Sequence, residues 1–308
     1  MNNTFGQVIT AMVTPFRRDE MASSLLSIDF DATEKLVNHL IKNGTDAICV
    51  AGTTGESPTL THEEERELCK FVQKTANKKA KVILGTGSNS TATAIESTKA
   101  AEKLSVDGVL SVVPYYNKPS QEGLLEHFGQ IAKCTHLPII LYNIPGRTGI
   151  NMEPKTVSEL AKKHKNIVGY KDATGNLENT SQVIQLTPKE FLVYSGDDSL
   201  TLPMLSVGAV GVISVASHIV GSEIKDMINS FFAGKIEQAR EIHNKLFPLF
   251  KELFKAPNPT CIKAALEIKG ICKSDLRLPL VKLNEKQLNE LKEIMDITCK
   301  GRPTCLPR

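Results

Sequence analysis

Eight short apolar runs rich in β-branched residues recur along the first 215 residues of a 308-residue chain. They are Val8 to Val13, Ala47 to Val50, Lys81 to Leu84, Gly108 to Val113, Ile139 to Tyr142, Ile167 to Tyr170, Phe191 to Tyr194 and Val210 to Val215. Most are separated by stretches of helical length with one apolar side: Thr61 to Ala76 groups Leu68, Phe71 and Val72, and Thr91 to Leu104 aligns alanines with Ile95. Near-continuous apolar strands alternating with helices require a parallel sheet covered on both faces. Eight such units in roughly 220 residues match a (β/α)8 TIM barrel, with an open doubly wound sheet as the alternative.

Beyond Ser222 the texture changes to helical patterns alone, including Ile224 to Phe232, Lys235 to Leu253 and Glu285 to Met295. The expected organisation is a catalytic barrel over residues 1–221 and a C-terminal helical domain with a loose tail over 222–308. The tail starts at Lys300 and contains Pro303 and Pro307. Ser199 to Ser222 is the longest charge-free stretch, but Pro203 and several glycines and serines break it, so it reads as a helix followed by a buried strand.

A net charge of +3 and a pI of about 8.4 are too mild for a nucleic-acid or membrane-surface partner. Seven scattered cysteines, with no C-x-x-C pair and no Cys/His cluster at zinc-ligand spacing, point to free thiols in a reducing compartment. Met1 to Arg18 lacks both an apolar core behind a basic start and a transit-peptide composition. Cytoplasm is the expected location, and no zinc site is expected.

In a barrel of this type, chemistry belongs at the C-terminal ends of the strands. The sixth run ends in Tyr170-Lys171-Asp172-Ala173-Thr174-Gly175. A buried lysine there, with its ammonium disfavoured, would be a nucleophilic amine able to form a Schiff base; otherwise Lys171 reaches past the rim to solvent or to Asp172. The fifth run ends in Tyr142-Asn143-Ile144-Pro145-Gly146-Arg147-Thr148, where a phenol can relay protons and an arginine can clamp a carboxylate, although each residue also suits a structural place. The second ends in Gly52-Thr53-Thr54-Gly55-Glu56-Ser57, whose hydroxyls and amides suit an anion but lack P-loop lysine spacing. The fourth ends in Pro114-Tyr115-Tyr116-Asn117.

Two competing motifs are weaker. Gly85-Thr86-Gly87-Ser88-Asn89-Ser90 half-resembles a dinucleotide fingerprint but lacks its third glycine. Asp197 and Asp198 could ligate a metal, yet they stand where a helix starts and read as N-terminal caps.

Together the four strand-end motifs resemble the dihydrodipicolinate synthase (4-hydroxy-tetrahydrodipicolinate synthase) family, in order from Val8 to about Val215. The resemblance implies a lyase that condenses pyruvate with L-aspartate 4-semialdehyde in diaminopimelate and lysine biosynthesis. It implies Lys171 as the Schiff-base lysine, Tyr142 as the proton relay, and Thr53 as the link to Tyr116, which reaches a neighbour's site across a dimer interface. Arg147 would hold the semialdehyde carboxylate, Thr53 and Thr54 that of pyruvate, and Gly196 and the Ile213 carbonyl would line the pocket. Ser57, His62, Asn89 and Tyr115 match the family's lysine-inhibitor site, but Thr93 replaces a glutamate and Glu65 a frequent histidine, which implies weak or absent feedback. A homodimer or homotetramer is expected. Other pyruvate-dependent aldolases of the superfamily usually lack an arginine at position 147. They remain the alternative, beside a non-catalytic binding barrel and a nucleotide-binding oxidoreductase using the Gly85 loop.

Overall fold

The computed structural model describes residues 4–21 and 25–299. Its centre is a closed barrel of eight parallel strands: β1 (Val8–Ala11), β4 (Ala47–Val50), β5 (Lys81–Gly85), β6 (Gly108–Val112), β7 (Ile139–Asn143), β8 (Ile167–Asp172), β9 (Leu192–Ser195) and β10 (Gly211–Ser214), the last pairing back on the first. Each of the eight apolar runs is therefore a barrel strand, and the open-sheet alternative falls.

Side chains alternate along each strand, which splits the core in two. One set, with Val8, Ile48, Val82, Val109 and Leu141, packs outward beneath the helices. The other, with Ile9, Cys49, Ile83, Leu110, Ile140, Tyr142, Tyr194 and Ile213, fills the lumen. Phe5 closes the N-terminal mouth: a Cβ on Gly108, the first residue of β6, would stand 2.7 Å from its ring.

The helices between strands begin where side chains satisfy their first amides. In α1 (Phe30–Lys42) the Asp29 carboxylate accepts from the Ala32 amide, and in α2 (His62–Ala76) Thr61 and Glu64 form a reciprocal capping box. Ser90 and Ser120 cap α3 (Thr91–Lys103) and α4 (Gln121–Lys133). A four-residue turn α5 (Pro145–Thr148), then α6 (Pro154–Lys163), α7 (Leu177–Leu186) and α8 (Thr201–Ser206) complete the ring. The charge-free stretch is α8 followed by β10, and no helix among the described residues is long and apolar enough to cross a membrane.

Two features escape a search for periodicity. Phe16–Arg18 and Leu26–Ile28 form an antiparallel pair, β2 and β3, too short to show an alternating pattern. After α9 (Ser217–Phe232) and α10 (Ile236–Glu252) comes α11 (Thr260–Ile268), whose residues 260–266 are all buried, Lys263 included. Helix α12 (Glu285–Cys299) follows, and α9 is broken at Val220, beside the expected domain boundary. The tail from Lys300 lies outside the described residues.

Candidate active site

Lys171 points into the lumen because its neighbours are tied down outside it. Tyr170, fully buried, receives a hydrogen bond on its hydroxyl from Asn143 Nδ2 at 2.8 Å. Asp172 accepts from Thr174 on one carboxylate oxygen and from Asn179 Nδ2 and Thr180 Oγ1 on the other, fastening β8 to α7. With both flanking side chains outside, strand alternation leaves Lys171 no direction but inward. Its contact with Asp172 is thereby ruled out, and at 6% exposure so is a reach to solvent.

Tyr142 stands opposite Lys171 in the β7–β8 register, and the lysine Nζ sits 4.2 Å from the centre of its ring. No carboxylate pairs with this amine among the described residues. The Lys171 amine therefore meets an aromatic face and no counter-ion. Cys49, another lumen residue, is buried, and burial pushes its thiol up to about 11, so it stays protonated.

The second strand end forms a tight loop. The amides of Gly55 and Glu56 donate to the carbonyls of Gly52 and Thr53, and Thr14 Oγ1 donates to the Gly55 carbonyl at 2.6 Å. Thr53 is half-buried and Thr54 fully buried. The Thr54 hydroxyl accepts from Asn258 Nδ2 at 2.9 Å, which leaves its own proton free for a ligand. Gly196 is required by packing: a Cβ there would meet the Asp172 carbonyl at 3.0 Å and Ala173 Cβ at 2.7 Å. Ile213 is buried in the lumen.

Arg147 lies on α5 at the barrel mouth, exposed and in no salt bridge among the described residues. Tyr116 is 88% exposed with φ of 75°, its backbone fixed by its amide donating to the Thr148 carbonyl. Within one chain it does not enter the site. Ser57, His62 and Asn89 lie on the loops and helix starts around α2 and α3, and Tyr115 lies in the loop between β6 and α4. His62 Nδ1 stands 3.0 Å from Glu65, and both residues line a cavity of about 570 Å³ between α2 and α3.

One sequence expectation needs correction. Asp197 does cap the turn at Asp198–Leu200, accepting from the Ser199 amide, but Asp198 does not. Its buried carboxylate instead braces the end of β10, accepting from Ser214 Oγ and from the amides of Val215 and Ala216. The glycines of the Gly85 loop serve strand packing: a Cβ on Gly85 would lie 2.3 Å from the Ala51 carbonyl oxygen, and one on Gly87 would lie 2.3 Å from the Val112 nitrogen.

Sequence reading also passed over Lys263 on α11 and Asn258 and Arg277 in the loops before and after it, all three of which approach the Gly52–Ser57 loop. Glu56 was quoted within its motif but given no task. The available signal was an acid placed directly after a glycine-rich loop, with no cation near it in sequence.

The fold is a closed (β/α)8 barrel that brings an amine and a phenol together in register near the C-terminal ends of its strands, the arrangement of a barrel enzyme. The chain belongs to the dihydrodipicolinate synthetase family, whose model matches residues 4–298. It is 52% identical over 287 residues to 4-hydroxy-tetrahydrodipicolinate synthase 1 of Halalkalibacterium halodurans, covering 93% of this chain and 95% of that one. It is 55% identical over 292 residues to the 4-hydroxy-tetrahydrodipicolinate synthase of Microcystis aeruginosa, covering 94% and 96%. The crystal structure of the Cyanidioschyzon merolae enzyme, described with lysine bound, superposes with a TM-score of 0.92 at 49% identity over 96% of this chain and 98% of that one.

Proposed function

We propose that this chain condenses pyruvate with L-aspartate 4-semialdehyde through a Schiff base on Lys171, giving 4-hydroxy-tetrahydrodipicolinate and water. The observation that carries this reading is the buried Lys171 amine against the Tyr142 ring, on adjacent strands in register.

The amine adds to C2 of pyruvate, whose carboxylate lies along the hydroxyls and amides of Thr53 and Thr54. Tyr142 hands a proton to the departing hydroxyl, which leaves as water, and a protonated imine remains. That imine is the electron sink, so no organic cofactor is needed. The methyl carbon then loses a proton back to the Tyr142 oxygen, and the resulting enamine attacks the aldehyde carbon. Arg147 supplies a planar fork for the semialdehyde carboxylate and lies at the mouth, free to turn toward it. The semialdehyde's own amine finally adds to the imine carbon, closing the ring and expelling Lys171.

Gly196 lets the chain pass close to the reacting centre, and the Ile213 carbonyl faces the pocket. The proton route continues through Thr53 to Tyr116 of a second copy, which makes the active form a homodimer or a homotetramer of such dimers. The exposure of Tyr116 on a backbone fixed at positive φ supports this. The reaction belongs in the cytoplasm, where pyruvate is supplied.

Intact-mass detection of the borohydride-reduced pyruvate adduct tests the core of the proposal. The wild type is expected to gain one adduct and Lys171→Ala none. Folded wild type that gains none would overturn every Schiff-base reading.

A further inference from the structure

Glu56 ends the loop that carries Thr53 and Thr54, in a left-handed conformation at φ 58°. A non-glycine residue persists there only when its surroundings hold it. They do so through its side chain, which is 2% exposed. One carboxylate oxygen lies 2.5 Å from Lys263 Nζ on α11, and the other accepts from the Arg277 amide at 3.1 Å. Lys263 is itself fully buried, donates to the Asp275 carbonyl at 2.8 Å and lies 4.1 Å over the Phe16 ring, a residue of the short β2–β3 pair.

A buried ion pair is poor value for stability, since apolar residues of equal volume do as well or better. Its directionality is what they cannot supply. Here it fixes an acid whose backbone amide donates to the Thr53 carbonyl at 3.1 Å, on one of the two residues proposed to hold pyruvate. We infer that Glu56 and Lys263 are positioning residues for the pyruvate carboxylate. Through them the C-terminal helices, lying far outside the barrel in sequence, set the orientation of the Thr53–Thr54 donors. Neither residue touches the substrate. The inference rests on the reading above, in which those donors hold pyruvate.

The test compares wild type, Glu56→Gln, Lys263→Met and the double variant, each checked for folding by near-UV circular dichroism and thermal unfolding. Two quantities are read: the pyruvate concentration giving half-maximal borohydride-trapped adduct, and the KM for semialdehyde. Each single variant is expected to raise the first at least tenfold and leave the second within twofold. The double variant, with no charge left unpaired, is expected to recover thermal stability but not the pyruvate half-saturation. Should Lys263→Met fail to fold, Glu56→Gln carries the comparison alone, because it keeps volume and hydrogen bonding. Folded variants with wild-type half-saturation, or a double variant that recovers both quantities, would overturn the inference. A wild type that forms no adduct would instead overturn the Schiff-base reading, and this inference with it.

Discussion

The Lys171 amine rests 4.2 Å from the centre of the Tyr142 ring, and the two residues are register partners on neighbouring strands. Their relation is thus set by backbone hydrogen bonding and does not depend on flexible side chains finding each other. In the proposed mechanism the ring and its hydroxyl do separate jobs, which Tyr142→Phe separates. The variant keeps the aromatic face over the amine and loses the proton carrier. Adduct formation with pyruvate is expected to survive at a reduced rate, while kcat falls roughly 10²- to 10³-fold, the range of a lost general acid–base. Steady-state assay beside borohydride trapping measures both, and an unchanged kcat would remove Tyr142 from the relay.

Arg147 is exposed and unpaired, so its loss costs the fold little. Arg147→Ala is expected to change unfolding free energy by no more than about 0.5 kcal/mol. It should raise the semialdehyde KM strongly and leave pyruvate trapping intact. Arg147→Lys should recover only part, because a point charge does not replace a bidentate fork. Indifference of the semialdehyde KM to both changes would favour another aldol acceptor.

His218 makes stability depend on pH. It is fully buried, and burial pushes its pKa down to about 4. Its Nε2 accepts from the Val13 amide at 3.1 Å while Nδ1 lies 2.8 Å from the Val215 carbonyl, an arrangement only the neutral ring can make. A depressed folded pKa means the neutral ring is favoured by folding. Its contribution is complete above the ordinary value near 6.5 and is lost as pH falls toward 4, amounting to roughly 3 kcal/mol. Burial lowers His127 to about 4 as well, adding to the same slope. Urea unfolding between pH 7 and pH 4 should show the loss, and His218→Gln, which can accept and donate at the same two places, should flatten it.

If Tyr116 completes the relay of a second copy, activity per chain depends on association. Dilution series followed by sedimentation and assay are expected to lose activity as dimers dissociate, and Tyr116→Phe to lose it without dissociating. A fully active monomer would refute the role in trans.

In the inhibitor site that the family resemblance implies, Thr93 and Glu65 would set the response to lysine. A threonine offers no charge for the inhibitor's ammonium group, and the Glu65 carboxyl, raised by burial, is already engaged with His62. Half-maximal inhibition is expected only above millimolar lysine. Calorimetry showing sub-millimolar binding would overturn this, and Thr93→Glu is expected to increase sensitivity.

The sequence by itself determined the eight strands and the helices between them, because apolar runs and helical periodicity are written in neighbouring residues, whereas closure into a barrel rests on β10 pairing back on β1. It also placed Lys171, Tyr142 and Arg147 at strand ends, since position along a strand is a local property. Which way Lys171 points was decided by the anchoring of Tyr170 and Asp172 to residues on other elements. Asp198 likewise reads as a cap locally and becomes a brace for β10 only once Ser214 folds against it. The Glu56–Lys263 pair and the Asn258–Thr54 bond join residues some two hundred positions apart, and residues 260–266 of α11 are all buried. Such contacts leave no period in a sequence. They exist because closing the barrel brings its second strand end under the C-terminal helices, where a buried charge must find a partner.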